Sequence, residues 1–86
     1  MTSDEEVVHV IKAWPEFFEA LVDGRKQFEI RFNDRAYAVG HKLRIREFIP
    51  SPEGGGRFTG REVGRVITYM TNHEQRRGYV VMGIKG

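Results

Sequence analysis

Residues 24–31 carry side chains of the types, and at the spacing, that could bind a charged ligand. The segment follows the pattern G-x-K-x-x-E-x-R, in which Lys26, Glu29 and Arg31 place two cations around one carboxylate. A cation pair can hold a phosphate, and a carboxylate can accept hydrogen bonds from base amino groups, as Glu and Asp do with cytosine. An ion pair between Glu29 and either cation on a solvated strand gives the same pattern, so the residues alone leave both interpretations open.

A short helix is predicted directly before this segment. Pro15 stands near the first helical position, a glutamate follows in the first turn, and Gly24 lies just past the end, which are typical helix signals. The helix should cover residues 15–23 and pack through Phe18 and Leu21. The apolar residues whose three-to-four spacing can place them on one face are Phe17, Phe18, Leu21 and Val22.

Alternation of apolar and charged residues predicts a strand over Phe28–Phe32. Its three apolar residues occupy one face, and Glu29 and Arg31 share the other face, with Lys26 at the strand entrance. Residues 33–35 are predicted to form a turn or a tight loop, because Asn and Asp side chains can bond to their own backbone. The helix, the strand and this turn are therefore the elements that must position the charged residues.

Further strands are predicted over residues 7–12, 42–49, 61–70 and 79–84, from β-branched and alternating runs. Residues 50–57 contain two prolines and three consecutive glycines, which predict a mobile hairpin loop. About five strands with one early helix indicate an α+β domain dominated by a mostly antiparallel sheet. At this size such a sheet tends to close into a small β-barrel, with the helix packed beside it.

Length and composition limit the class of protein. The 86 residues are expected to form a single domain, 1–86, in which residues 1–6 are a flexible acidic N-terminus. The absence of cysteine excludes disulfides, thiol nucleophiles and cysteine-ligated zinc. The apolar runs are far shorter than the ~18–20 residues that span a bilayer, and the acidic N-terminus is unlike a signal peptide. We therefore expect a cytoplasmic protein without a membrane partner.

Metal and cofactor motifs are missing from the sequence. His9, His41 and His73 are scattered, and none of them forms a ligand pair at the spacing that a metal site needs. The glycines at 54–56 lack the lysine and the helix that follow a phosphate-cradling loop. We expect neither a metal nor another cofactor.

Charge is distributed unevenly along the chain. The net charge is only +2, but residues 1–23 carry six acids and one base, whereas residues 24–86 carry thirteen bases and six acids. Ten of the fourteen cations are arginine, whose planar fork suits phosphate and stacks on bases. This distribution is compatible with an anion-binding face and equally with an ordinary solvated surface.

Short motifs flank the charged segment on both sides. In chain order they are Trp14-Pro15, Asn33-Asp34-Arg35, Val39-Gly40, Arg46-Glu47-Phe48, Thr59-Gly60-Arg61 and Gly78-Tyr79-Val80-Val81. With G-x-K-x-x-E-x-R they resemble the ASCH domains of the PUA-like superfamily, and within them an ASCH-like group of unknown function found in phage and bacterial genomes. The resemblance implies a small barrel with a helix beside it, a cleft between them that receives the side chains of the segment, and RNA binding.

Other residues join the predicted site. Glu47 falls on the apolar side of its strand, so it either turns inward to meet Lys26 or Arg31, or a bulge lets it reach water. Four aromatic residues are candidates for stacking on a base: Trp14, which is preferred, Tyr37, Tyr69 and Tyr79. The predicted nucleic-acid or nucleotide site comprises Trp14, Lys26, Glu29, Arg31, Asn33, Asp34, Arg35, Glu47 and Tyr69.

We expect an RNA- or nucleotide-binding domain whose partner is RNA or a nucleotide-like ligand. One ASCH branch hydrolyses an acylated cytidine with a lysine, a threonine nucleophile three residues later, and a glutamate. Lys26 matches that lysine, but Glu29 stands where the threonine would be, so binding is favoured over catalysis. An amidohydrolase acting on a modified pyrimidine nucleoside, with Glu29 as general base and Lys26 stabilising the oxyanion, is the alternative. A protein-interaction module is the third.

Overall fold

The computed structural model describes residues 6–86, which form five strands and one short helix. In chain order the elements are β1 (Val8–Ala13), α1 (Pro15–Val22), β2 (Phe28–Phe32), β3 (Lys42–Pro50), β4 (Gly56–Thr71) and β5 (Tyr79–Lys85). The predicted α+β fold is confirmed; β2 has the predicted ends, and the other predicted strands are found with ends moved by one to five residues. The largest difference is β4, which begins at Gly56 rather than at residue 61.

The five strands form one sheet in the order β1-β3-β4-β5-β2. β1 pairs with β3 in parallel, and the other three pairings are antiparallel. A parallel pair needs a crossover connection, which here contains both α1 and β2. The sheet curls into a half-barrel whose two edges are β1 and β2.

β4 gives the sheet its curl because it pairs with two neighbours in succession. Its residues 56–66 pair with β3, and its residues 66–71 pair with β5. The register shifts once between Arg46 and Phe48 and again between Ile67 and Tyr69, and such irregularities bend a strand and increase its twist. The hairpin that joins β3 to β4 is shorter than predicted, because Pro50, Gly56 and Arg57 belong to strands.

α1 packs against the sheet through a narrow stripe of buried residues. Phe18 and Leu21 are fully buried, as predicted, and α1 contacts β3. Phe17 and Val22 remain largely exposed, so the predicted four-residue apolar face is reduced to two residues. The buried apolar core that α1 covers consists of Ile11, Ala13, Tyr37, Leu43, Ile45, Ile67, Val80, Met82 and Ile84.

The predicted flexible N-terminus falls mostly outside the described residues. Glu6 is described, and its carboxylate accepts a hydrogen bond of 2.7 Å from Lys42 Nζ at the start of β3. Residues 6–86 contain no helix with the length and apolar character needed to cross a membrane.

A hydrogen bond between two histidines connects β1 to the turn before β3. His9 Nε2 and His41 Nδ1 share a hydrogen bond of 2.9 Å, and the ring of His9 also meets Tyr37 edge-on at 4.7 Å between centroids. Burial, together with the positive charges of His41 and Arg35, holds the pKa of His9 below its ordinary value. Protonation of His9 is therefore coupled to the stability of this contact.

Stability should fall as the pH drops below about 6.5, the ordinary pKa of histidine. The folded state binds the His9 proton less tightly than the unfolded chain does, so stability is complete above that pH and declines until the lowered pKa is passed. Urea unfolding between pH 8 and pH 5 measures this slope. His9→Gln should flatten the slope, whereas the exposed His73→Gln should preserve it. An unchanged slope in His9→Gln would show that other groups cause the acid sensitivity.

Candidate functional site

β2 is oriented with its charged face towards the interior of the half-barrel. Glu29 is only 3% exposed, whereas Phe28, Ile30 and Phe32, which alternate with it along the strand, are 43%, 51% and 51% exposed. This arrangement reverses the usual apolar-in pattern of a sheet that has one solvated face. Glu29 is therefore not on a solvated face, although both ion pairs of the alternative interpretation are present.

Glu29 is held between two cations. Lys26 Nζ donates a hydrogen bond of 2.6 Å to Glu29 Oε2, and Arg31 Nε donates one of 3.4 Å to Glu29 Oε1. A buried carboxylate needs such partners, because an unpaired charge is costly to remove from water. The helix, the turn and β2 thus bring the three residues of the predicted pattern together, and we call Lys26, Glu29 and Arg31 the charged triad.

A cleft of about 520 Å³ lies beside the charged triad. Its lining consists of Phe17, Lys26, Phe28, Glu29, Ile30, Arg31, Phe32 and Tyr79, and we refer to this space as the cleft. Lys26 Nζ is 5.7 Å from the ring centroid of Phe17 and 5.5 Å from that of Phe28, within the range of cation–π attraction. The cleft therefore combines aromatic surface with charged donors.

Arginine side chains connect the two edge strands. Arg31 Nη2 donates a hydrogen bond of 2.7 Å to the carbonyl of Lys12, and Arg35 Nη1 donates one to the carbonyl of Val10. Both carbonyls belong to β1, whereas Arg31 lies on β2 and Arg35 follows it. A second space of about 280 Å³ lies here, and we call it the seam; it is lined by Val10, Ile11, Lys12, Arg31, Arg35 and Phe58.

The predicted turn after β2 positions Arg35. The Asn33 side chain accepts a hydrogen bond of 2.9 Å from the backbone N–H of Tyr37, and the Asp34 N–H donates one of 2.8 Å to the carbonyl of Phe32. Asn33 thus orders the loop, and Asp34 is exposed beside Arg35. Both residues support the site through the loop, and neither lines the cleft or the seam.

Glu47 belongs to a different cluster. It is buried at the register shift of β3, where its Oε1 accepts a hydrogen bond of 2.8 Å from the Thr59 hydroxyl and lies 3.7 Å from Arg61 Nη1. The predicted bulge is present, yet the side chain turns inward. Its partners are on β4, so within residues 6–86 the cluster that Glu47 forms is separate from Lys26 and Arg31.

Two predicted aromatic residues lie at different distances from the cleft. Trp14 is half-exposed and stacks on Phe17, a cleft residue, with 6.2 Å between ring centroids. Tyr69 is exposed on β4, which β5 separates from β2. Among the other stacking candidates, Tyr37 is buried in the core and Tyr79 lines the cleft. Tyr79 therefore lines the cleft and Trp14 contacts the cleft residue Phe17, whereas Tyr69 is not among the cleft residues.

Sequence reasoning named the charged triad, Arg35 and Tyr79, but it missed the phenylalanines of the cleft and Lys12 and Phe58 of the seam. Phe17 was predicted only as part of the apolar face of α1, and Phe28 and Phe32 only as part of the apolar face of β2, whereas Lys12 and Phe58 belonged to no motif. The alternation in β2 showed that its apolar residues share a face, but it did not say which face is buried. Within the described part of the chain, no group of three or more histidine, aspartate or glutamate side chains could hold a metal ion.

The fold and site together define a small α+β half-barrel with a buried, doubly paired glutamate beside an aromatic cleft. The chain belongs to the family described as Domain of unknown function (DUF3850), whose model matches residues 8–84. It is also similar to an uncharacterized 12.9 kDa protein in the GpA 3′ region of Escherichia phage P2, with 34% identity over 65 residues. Those residues are 76% of this chain and 55% of the phage protein, so the chain spans about half of its relative's length.

Proposed function

We propose that the chain binds RNA or a nucleotide in the cleft, with the base against the aromatic lining and the charged triad as the recognition group. The observation that carries the proposal is a carboxylate that is 3% exposed, paired on both sides, and located in the wall of an aromatic-lined cleft. Keeping a charge in such a position is costly, and functional sites commonly contain charges placed in this way.

The chemistry of the cleft suits a base. An ionised carboxylate offers about four acceptor positions, and Lys26 and Arg31 occupy two of those on Glu29. The remaining positions can accept from an exocyclic amino group, such as that of cytosine. Phe17 and Phe28 offer faces on which a base can stack, which commonly contributes about 1–3 kcal/mol per base in single-strand binders.

The resemblance to ASCH domains of the PUA-like superfamily supports the same proposal. It implies RNA binding in a cleft between helix and barrel, and the cleft here has Phe17 of α1 on one side and β2 on the other. Hydrolysis is less well supported, because Glu29 replaces the threonine nucleophile of the hydrolytic branch. Both oxygens of Glu29 are also engaged by cations, which leaves the carboxylate poorly placed to take a proton from water.

Titration of the ¹⁵N-labelled protein with cytidine, cytidine 5′-monophosphate and single-stranded hexacytidylate tests the proposal. We expect chemical-shift changes in residues 26–32 and a change in the fluorescence of Trp14, the single tryptophan. If about four phosphates of the hexamer are neutralised, the logarithm of its affinity should fall with the logarithm of salt concentration with a slope near −3.

The three probes distinguish a nucleotide pocket from an RNA-binding surface. Binding of the monophosphate with little salt dependence would identify a nucleotide pocket, whereas a steep slope with the hexamer would identify an RNA-binding surface. Absence of binding by all three probes at millimolar concentration would overturn the proposal.

A further inference from the structure

The seam has unused hydrogen-bond donors that converge on one space. A guanidinium carries five N–H donors. Arg35 donates one hydrogen bond, to the carbonyl of Val10. Arg31 donates two, to the carbonyl of Lys12 and to the carboxylate of Glu29. Within the described residues, the remaining donors of both side chains have no hydrogen-bond acceptor in the protein.

Lys12 adds a third cation to the seam. Its side chain is exposed, and its Nζ lies 4.3 Å from the ring centroid of Phe48, which contacts the seam residue Phe58. Its own carbonyl is the one that accepts from Arg31. The side chain of Lys12 can therefore be changed without removing the bond that joins β1 to β2.

No acidic residue of the described chain is part of the lining of the seam. Glu29 is the carboxylate that contacts Arg31, and it is shared with Lys26. Asp34 is next to Arg35 in the chain, but it is exposed and lies outside the lining of the seam. Three cationic residues, Lys12, Arg31 and Arg35, thus line a space of about 280 Å³ together with apolar side chains.

We infer that the seam is a phosphate-binding subsite. Planar arginine forks pair with phosphate oxygens, and lysine adds a point charge. The β1 carbonyls already fix one end of each guanidinium, which lowers the conformational cost of binding. The inference rests on the proposed function in one respect: Arg31 lines both the seam and the cleft, so a base in the cleft and its phosphate in the seam belong to one ligand.

Inorganic phosphate tests the seam directly and independently of the cleft. The probe is added to ¹⁵N-labelled protein at constant ionic strength, with chloride replaced by phosphate. We expect saturable shift changes in the amides of residues 10–12 and 31–35. Lys12→Gln should weaken phosphate binding by about two- to fivefold, the effect of one exposed charge contact. Arg35→Gln should weaken it as well, with thermal melts to confirm folding.

Lys85→Gln is the matched control. It removes the same charge from an exposed position at the end of β5, outside the seam. Equal effects of Lys12→Gln and Lys85→Gln would mean that phosphate responds only to net charge, and the inference would be overturned. Absence of saturable shifts around the seam would overturn it too.

The nucleotide probes then separate this inference from the proposed function. If both hold, Lys12→Gln weakens cytidine 5′-monophosphate or hexacytidylate and leaves cytidine unchanged. A loss with the monophosphate identifies a nucleotide phosphate, and a loss with the hexamer alone identifies the RNA backbone. If phosphate binds in the seam but no nucleoside or nucleotide enters the cleft, the proposed function fails and the seam remains. If cytidine binds in the cleft but phosphate does not bind in the seam, the proposed function holds and the inference about the seam fails.

Discussion

Arg31→Ala should weaken the binding of cytidine 5′-monophosphate by about 10- to 150-fold, which corresponds to about 1.5–3 kcal/mol for a charged hydrogen bond. Arg31 contacts Glu29 and the carbonyl of Lys12, and it lines both the cleft and the seam. Its loss removes a ligand donor and leaves Glu29 with Lys26 as its remaining cation. Isothermal titration at fixed salt measures the effect, and thermal melts confirm that the variant folds.

Arg57→Ala is the control for Arg31→Ala. Arg57 is exposed at the start of β4, beside the β3–β4 hairpin. Its substitution should weaken ligand binding much less, because an exposed cation gains little from one phosphate. Glu29→Gln keeps the shape of the side chain and removes its charge. A ligand that donates a hydrogen bond to the carboxylate should bind more weakly to this variant. A ligand held only by the overall positive charge should bind more tightly, because a negative charge has been removed. Equal losses for Arg31 and Arg57, or tighter binding by Glu29→Gln, would exclude the cleft as the site.

Phe18→Ala should lower the free energy of unfolding by about 3–5 kcal/mol, the usual cost of deleting a buried phenylalanine. Phe18 is 1% exposed and is one of the two residues through which α1 covers the sheet. The Arg61 guanidinium also lies 5.0 Å from its ring centroid. For a domain of this size such a loss is a large part of the total stability, so the variant should be partly unfolded at 37 °C.

The neighbouring Phe17 provides the comparison for Phe18. It has the same side chain one position earlier, but it is 44% exposed and lines the cleft. Phe17→Ala should therefore cost much less stability and weaken the nucleotide probes, while Phe18→Ala should act mainly on stability. Chemical denaturation of both variants separates the two roles. If Phe17→Ala and Phe18→Ala lower the free energy of unfolding equally, Phe17 must also pack against the sheet, and the narrow face described for α1 would be wrong.

The elements of the fold could be predicted because their signals are local. Pro15 and Gly24 mark the ends of α1, and the alternation in residues 28–32 defines β2. The parallel pairing of β1 with β3 is not a local signal, since it depends on how the intervening helix and strand cross the sheet. The early start of β4 was missed because its first residues, around Gly60, have the composition of a loop.

The site was only partly predictable for a related reason. The pattern named Lys26, Glu29 and Arg31, and they do form one contact network. A period of two shows which residues share a face, but the choice of the buried face is made by the whole sheet. Glu47 was assigned to the same site, but the register shift in β3 places it opposite Thr59 and Arg61, and the sequence carries no local signal for these contacts.

The seam also determines how the half-barrel can open. Hydrogen bonds from Asn33 to Gly78 and from Ile84 to Gln27 show which side of β2 faces β5, so the backbone groups of Phe28 and Ile30 point the other way. The contacts that join the edges β1 and β2 there come from the arginine side chains, and within residues 6–86 separating the edges breaks no strand pairing. Amide hydrogen exchange at this edge should therefore proceed by local opening, while the amides between β3 and β4 exchange only through wider unfolding.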